Sequence, residues 1–257
     1  MDIRVAILGL VVGFLVGVTG TGGGALLTPL LIVLGWAPPM MAVGTDLVWS
    51  TLTKAAGAAI HWRQQTVDFR IVKRLALGSI PGALTGLALL AHLRASGAYS
   101  PDRLVLRLLG GALVVVAATL FWRCFRSPRR SDAGENHDNG LRFAWTTTLA
   151  AFVVGFLVSI TSVGSGSLII ALLVVLYPAT PLRRIVGSDI VHALLLVGVS
   201  AVGHLRLGSI NLSLLGALLV GSLPGVWLGS KMTTVVPEKA LRPVLGTTLF
   251  LLGCKLL

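Results

Sequence analysis

GVTGTGGGALLTP, residues 17–29, decides how this chain is read. Five of its thirteen residues are glycine, and they interrupt an apolar run that begins at Ile3. Each glycine inside a helix costs about 1 kcal/mol relative to alanine. A straight helix over residues 3–34 would be about 48 Å long, against a hydrocarbon core about 30 Å thick. The run must therefore break, and the glycines mark the place. It either continues as one discontinuous span or turns back as a hairpin.

Composition sets the solvent. The 257 residues are 55% hydrophobic and 12% charged, with mean hydropathy +0.91. Soluble domains carry about 25% charge, and several apolar stretches here exceed the roughly 18 residues that signal a span. The chain reads as a polytopic α-helical membrane protein. Its net charge of +12 comes from Lys and Arg lying between apolar runs, which fits positive-inside loops rather than nucleic-acid binding. Cys124 and Cys254 have neither metal-ligand spacing nor an obvious pairing and read as packing residues. The N-terminal stretch has the look of a signal peptide without a clear cleavage site. Its recurrence later in the chain makes it part of the fold.

That recurrence is extensive. GFLVGVTGTGGGALL (13–27) aligns with GFLVSITSVGSGSLI (155–169) at an offset of 142. At an offset of 143, VGTDLVWS (43–50) matches VGSDIVHA (186–193), His61 matches His204, TVDF (66–69) matches SINL (209–212), and GSIPGALTG (78–86) matches GSLPGVWLG (221–229). The expected organisation is a first transmembrane repeat over 1–122, a polar linker over 123–142 and a second repeat over 143–257. Each repeat holds a broken segment (3–36; 143–177) and three spans (41–61, 68–93, 103–122; 184–204, 210–231, 240–257).

Charge counting chooses between span and hairpin. With discontinuous spans, twelve basic residues fall on one side and eight on the other. With hairpins, Arg4, Arg94, Arg103, Arg107, Arg206 and Lys255 face fourteen, Lys54 being left out of both counts. The hairpin has the stronger asymmetry. It puts both termini outside and the linker inside, and it makes the halves an inverted repeat, an architecture of transporters whose site lies near the midplane. The expected fold class is all-α: two homologous halves, each a broken, re-entrant hairpin plus three transmembrane helices.

Two sets of residues carry candidate chemistry. The first is the pair of turns: Thr19, Gly20, Thr21, Gly22, Gly23 and Gly24, and Thr161, Ser162, Gly164, Ser165 and Gly166 with Ser167 beyond. Non-helical backbone at membrane depth survives only when buried in protein or lining a cavity. Each helix restart offers free N–H groups and a positive dipole end, and the hydroxyls add donors, which suits a small oxyanion. Glycines also permit close helix packing, which is the preferred reading for Gly13–Gly17, Gly82–Gly86 and Gly225–Gly229. No Walker-type G-K-[ST] follows either turn.

The second set is ionisable: Asp46, Lys54, Asp189 and His192 lie inside spans, where such groups face the interior and are functional by default. Lys54 is the expected substrate contact, paired with Asp189 or Asp46 or holding an anion. Asp46, Asp189 and His192 are candidates for proton coupling. Asp189 and His192, at i and i+3, are within touching distance. The competing reading of the two aspartates is first-turn carboxylates that complement a helix dipole. His61 and His204 read as interfacial. The six tryptophans, Trp36, Trp49, Trp62, Trp122, Trp145 and Trp227, read largely as an aromatic belt. No residue set suggests an enzyme, a metal site or a cofactor.

At GFLVGVTGTGGGALLTPLL, VGTDLVWSTLTKAAGAAIHWRQQTVDFRIV and LGSIPGALTG, and at GFLVSITSVGSGSLI, VGSDIVHA, GHLRLGSINLSLL and GSLPGVWLGS, the chain resembles the sulfite exporter TauE/SafE family of membrane permeases. The resemblance covers nearly the whole chain apart from the linker. It implies secondary transport of small sulfur oxyanions or organosulfonates, such as sulfite or sulfoacetate. The implied partners are that anion and the bilayer of the cytoplasmic membrane, with a homodimer as an open possibility. Ser165 stands where the first half has Gly23, so the two turns are chemically unequal. A non-transporting membrane subunit and a cation carrier using Asp46 and Asp189 remain open as other function classes.

Overall fold

The computed structural model describes residues 3–19, 24–97, 100–125, 140–177, 180–232 and 238–257. The apolar runs become α1 (Ile3–Thr19), α2 (Gly24–Val33), α3 (Pro39–Arg63), α4 (Phe69–Ser96) and α5 (Pro101–Phe125), then α6 (Gly140–Thr161), α7 (Ser167–Leu176), α8 (Leu182–Arg206), α9 (Leu212–Met232) and α10 (Glu238–Leu256). The described residues contain no strand. The protein is an all-α polytopic membrane protein. Its exterior carries Leu77, Leu84, Trp145, Leu149, Leu212 and Trp227 more than half exposed, a surface that only lipid solvates without penalty. Residues 69–96, 101–121, 182–206 and 212–232 are each long and apolar enough to cross a membrane. α3 matches them in length but carries Asp46 and Lys54.

The second long segment breaks at the small residues Ser162–Gly166, and in the first, α1 ends at Thr19 and α2 begins at Gly24. α2 and α7 have ten residues each, about 15 Å of helix, so as helices they reach only half-way through a 30 Å core. Local chemistry sets other ends. Asp68 caps α4 by accepting from the amides of Arg70 and Ile71, and Gly97 ends it in the left-handed conformation. Pro81 and Pro224 sit at matched places inside α4 and α9, where neighbouring helices make a missing N–H tolerable.

The halves are interwoven. α1 packs along α9, and α6 along α4, while α3 lies against α8 and α5 against α10. Small residues allow the first two contacts: a Cβ on Gly221 or Gly225 would collide with the α1 carbonyls of Ala6 and Leu10, and one on Gly78 or Gly82 with the α6 carbonyls of Thr148 and Phe152. The largest apolar cluster accordingly mixes both halves, from Val5 and Leu27 to Leu218 and Leu249.

Several sequence expectations change. Trp49 is not in an interfacial belt: it is fully buried, because its indole has a hydroxyl partner in the interior. His204 is buried rather than interfacial, with Ser209 Oγ at 2.8 Å and the Ser159 carbonyl at 2.8 Å. His61 makes the matching contact to Thr66 Oγ1 at 2.9 Å, so both histidines lock the tight turn after their helix. Cys254 is exposed on α10, not packed. The side chain of Cys124 and most of the linker, 126–139, lie outside the described residues.

Candidate functional site

α3 and α8 supply the ionisable groups, and the turn between α6 and α7 meets them. The two helices begin at Pro39 and Leu182, so Asp46 and Asp189 sit two turns in. They are therefore not first-turn carboxylates. Both are buried.

The turn Ser162–Gly166 departs from helix in an ordered way. Thr161 Oγ1 donates to the Leu157 carbonyl at 2.7 Å and accepts from the Val163 amide at 3.2 Å, so its hydroxyl closes its own helix end. Ser162 has φ of 60° and Gly164 φ of 105°. A serine in the left-handed region stores about 1 kcal/mol or more. α7 then restarts with Gly166 as N-cap and no side chain capping it. Its first amides have no acceptor within the helix.

Lys54 reaches this turn. Its ammonium donates to the Ser165 carbonyl at 3.3 Å, across 111 residues of chain. Among the described residues it forms no close ion pair, although Asp189 and, more weakly, Asp46 act on it electrostatically. One of its three N–H donors is used.

The acids differ in their surroundings. Asp46 Oδ2 accepts from Thr28 Oγ1 at 2.5 Å, and its Oδ1 lies 3.4 Å from Ser50 Oγ. Among the described residues Asp189 Oδ1 has no partner. Nor does His192 Nδ1, so the i, i+3 contact between the two is not made. His192 instead bonds through Nε2 to Ser79 Oγ at 2.7 Å. Ser162 Oγ is the third orphan: it lies beside Asp46 without a hydrogen bond of good geometry. Buried polar atoms are paired in the large majority of cases, so three orphans facing the same few helices need a reason.

Matched residues make matched bonds around this centre. Trp49 Nε1 donates to Ser222 Oγ at 2.6 Å, the counterpart of His192 with Ser79. The Asp68 amide donates to Ser188 Oγ at 2.8 Å, and the Asn211 amide to Thr45 Oγ1 at 3.1 Å. Sequence reasoning noticed that Ser79 and Ser222 recur but gave them no role. A polar residue kept at one place in both glycine runs was the available clue.

Of the first turn, Gly24 alone is fully described. It abuts the Ser162 carbonyl so closely that a Cβ would collide with it, which brings the two turns together. Gly20, Thr21, Gly22, Gly23 and the side chains of Thr19 and Ser167 lie outside the described residues.

Comparisons with known proteins show the family. A family model described as Sulfite exporter TauE/SafE matches residues 5–256. The chain belongs to that family. Among relatives of this TauE/SafE chain, the "Probable membrane transporter protein YjnA" of Bacillus subtilis (strain 168) is 39% identical over 262 residues, covering 100% of both chains. The "Probable membrane transporter protein YunE" of the same organism is 25% identical over 98% of this chain and 95% of its own. A "Probable membrane transporter protein" of Xylella fastidiosa (strain 9a5c) is 26% identical over 87% of this chain and 81% of its own. No solved structure matches the chain at a significant level. The protein is a multi-pass membrane transporter of the TauE/SafE type, not an enzyme.

Proposed function

We propose that the protein moves a small sulfur-containing anion, sulfite or an organosulfonate, across the cytoplasmic membrane by alternating access. The observation that carries this reading is Lys54: a cation inside a spanning helix, aimed at the α6–α7 turn, with donors to spare. The uncapped start of α7 adds amides and a positive dipole end to the same place. The orphaned Ser162 Oγ is a hydroxyl available to an oxyanion, and the first turn contributes through Gly24 and its neighbours 19–23. Asp189 and His192, each with a free heteroatom, are the groups for a coupled proton. Asp46 belongs to the same set but is already engaged by two hydroxyls.

In this reading the halves 1–122 and 143–257 are inverted repeats that rock against each other about the site. The linker 123–142 faces the cytoplasm and both termini face out. Cysteine labelling of the linker from the outside would overturn that orientation.

Proteoliposome flux with sulfite, sulfoacetate and divalent metal cations tests the substrate. Flux of sulfite or the sulfonate is expected, with Lys54→Gln lowering it at least tenfold, the scale of one charged hydrogen bond. Unchanged anion flux in Lys54→Gln removes the assigned role. Metal flux in place of anion flux transfers the function to Asp46 and Asp189, and no flux of any kind favours a partner-binding subunit.

A further inference from the structure

Away from the charged centre, α3, α4 and α8 enclose an apolar groove of about 500 Å³. Its walls include Leu84, Leu87, Leu195, Val199 and Val202, with Gly198 and Gly203 along the floor and Arg206 at one end. Leu84, Leu195 and Val202 are 53%, 45% and 54% exposed. They lie on membrane-spanning helices, so the groove opens sideways into the bilayer.

Some of the groove's lining positions differ between the halves, while Leu195 and Arg206 keep identical counterparts in Leu52 and Arg63. At the matched positions of the other half, Ala55 and Ile60 replace Gly198 and Gly203, and Trp227 replaces Leu84. Trp227 is covered by the Lys231 ammonium, 3.6 Å from the ring centroid. Among the described residues little approaches Gly198, whose nearest neighbour for an added Cβ is Thr51 Cγ2 at 3.9 Å.

The open end is basic. Arg206 is exposed in the last turn of α8 and has no hydrogen-bond partner among the described residues. Arg94, in the last turn of α4, donates to the Leu207 carbonyl, which places a second guanidinium at the same end. No described carboxylate pairs with either. An apolar channel ending in two guanidiniums complements a hydrocarbon chain joined to a phosphate, since guanidinium bonds phosphate oxygens.

We propose that this groove holds one acyl chain of an anionic phospholipid, with Arg206 and Arg94 on its phosphate. Arginine suits the role because its planar fork bonds phosphate bidentately. The site lies on the lipid-facing side of α8, apart from the Lys54 centre, so it does not depend on the transported substrate.

Native mass spectrometry tests it on the full-length protein, extracted in mild detergent from vesicles that mix phosphatidylglycerol with phosphatidylcholine. The wild type is expected to retain one phosphatidylglycerol in preference to phosphatidylcholine by roughly fivefold, the factor one arginine contributes against an anionic headgroup. Arg206→Gln, an exposed change, should bring that preference close to one. Gly198→Leu should lose both lipids, since it fills the groove without meeting backbone. Equal retention of the two lipids by the wild type, or an undiminished preference in Arg206→Gln, overturns the proposal. So does disulfide cross-linking between copies of a Leu84→Cys variant in the membrane, which assigns the groove to a second protomer.

Discussion

Asp46 and Asp189 occupy one position of the repeat, yet they live in different chemistry. Asp46 is held by Thr28 and Ser50. In the register that matches the two halves, those residues become Ile170 and Ala193, and Asp189 keeps one oxygen without a partner. Trp49 and His192 diverge in the same direction. Each bonds to the serine of the opposite glycine run, but the indole has a single polar atom and is satisfied, whereas the imidazole keeps Nδ1 free. Lys54, whose matched residue is Val197, projects from the satisfied helix toward the turn of the other half. Duplication thus left one helix to hold the fold and supply the cation, and the other to carry the unsatisfied acid and base. An unpaired buried polar group costs stability, and among the described residues the three orphans all lie in the second half.

The sharpest way to break this comparison is to truncate both acids. Asp46→Ala should destabilise by about 3 kcal/mol, because it strands two buried hydroxyls that served a carboxylate. Asp189→Ala should abolish flux and cost less than Asp46→Ala, because it strands no hydroxyl and removes only the acid that acts on Lys54 from a distance. Thermal unfolding in detergent alongside proteoliposome flux measures both. Equal costs for the two variants would end the distinction.

Next in size is the serine pair. Ser222→Ala leaves a buried indole N–H unpaired and should cost about 1–2 kcal/mol, with flux per folded molecule unchanged. Ser79→Ala frees the His192 ring to reorient, so its expected effect is on flux more than on unfolding. A reversed pattern would place the working helix on the Trp49 side.

A transplant sharpens the contrast from the other direction. Ile170→Thr with Ala193→Ser rebuilds around Asp189 the hydroxyls that surround Asp46. The double variant should gain about 1 kcal/mol from new hydrogen bonds and lose flux. Faster flux in that variant would show that a satisfied acid is no handicap.

The smallest expected effect is at the turn. Ser162→Gly relieves a left-handed serine, a gain of up to about 1 kcal/mol that the extra freedom of the unfolded chain partly offsets. Ser162→Ala keeps the strained backbone and removes only the orphaned hydroxyl. If flux falls in both variants alike, the hydroxyl rather than the backbone shape is what matters.

Much of this was legible in the chain itself. The ten described helices follow apolar runs long enough to cross or half-cross a bilayer, and their ends fall largely at glycines, prolines and polar residues that local backbone chemistry favours. Lys54 stood out because a cation in a span has no inexpensive place except the interior. The partners of the ionisable groups were not legible. Thr28 and Asp46 are 18 residues apart, Ser79 and His192 113, Trp49 and Ser222 173. No periodicity links such distances. The sequence also placed Trp49 and His204 at the membrane surface by residue type, which says nothing about whether a hydroxyl or carbonyl waits inside.

The break at GVTGTGGGALLTP was determined by sequence alone: glycine-rich backbone in a run too long for the membrane must interrupt its helix. So were the duplication and the membrane as solvent, because composition and self-similarity need no coordinates. Tertiary structure decided which helix each break faces. α1 lies on α9 and α6 on α4 because glycine faces admit backbone contact across the halves. That exchange brings Gly24 against Ser162 and Lys54 against Ser165. It also leaves Asp189, His192 and Ser162 each with one polar atom unclaimed. Local sequence specifies what a segment prefers to be. Only packing specifies which buried groups find partners, because each partner is supplied by a different helix.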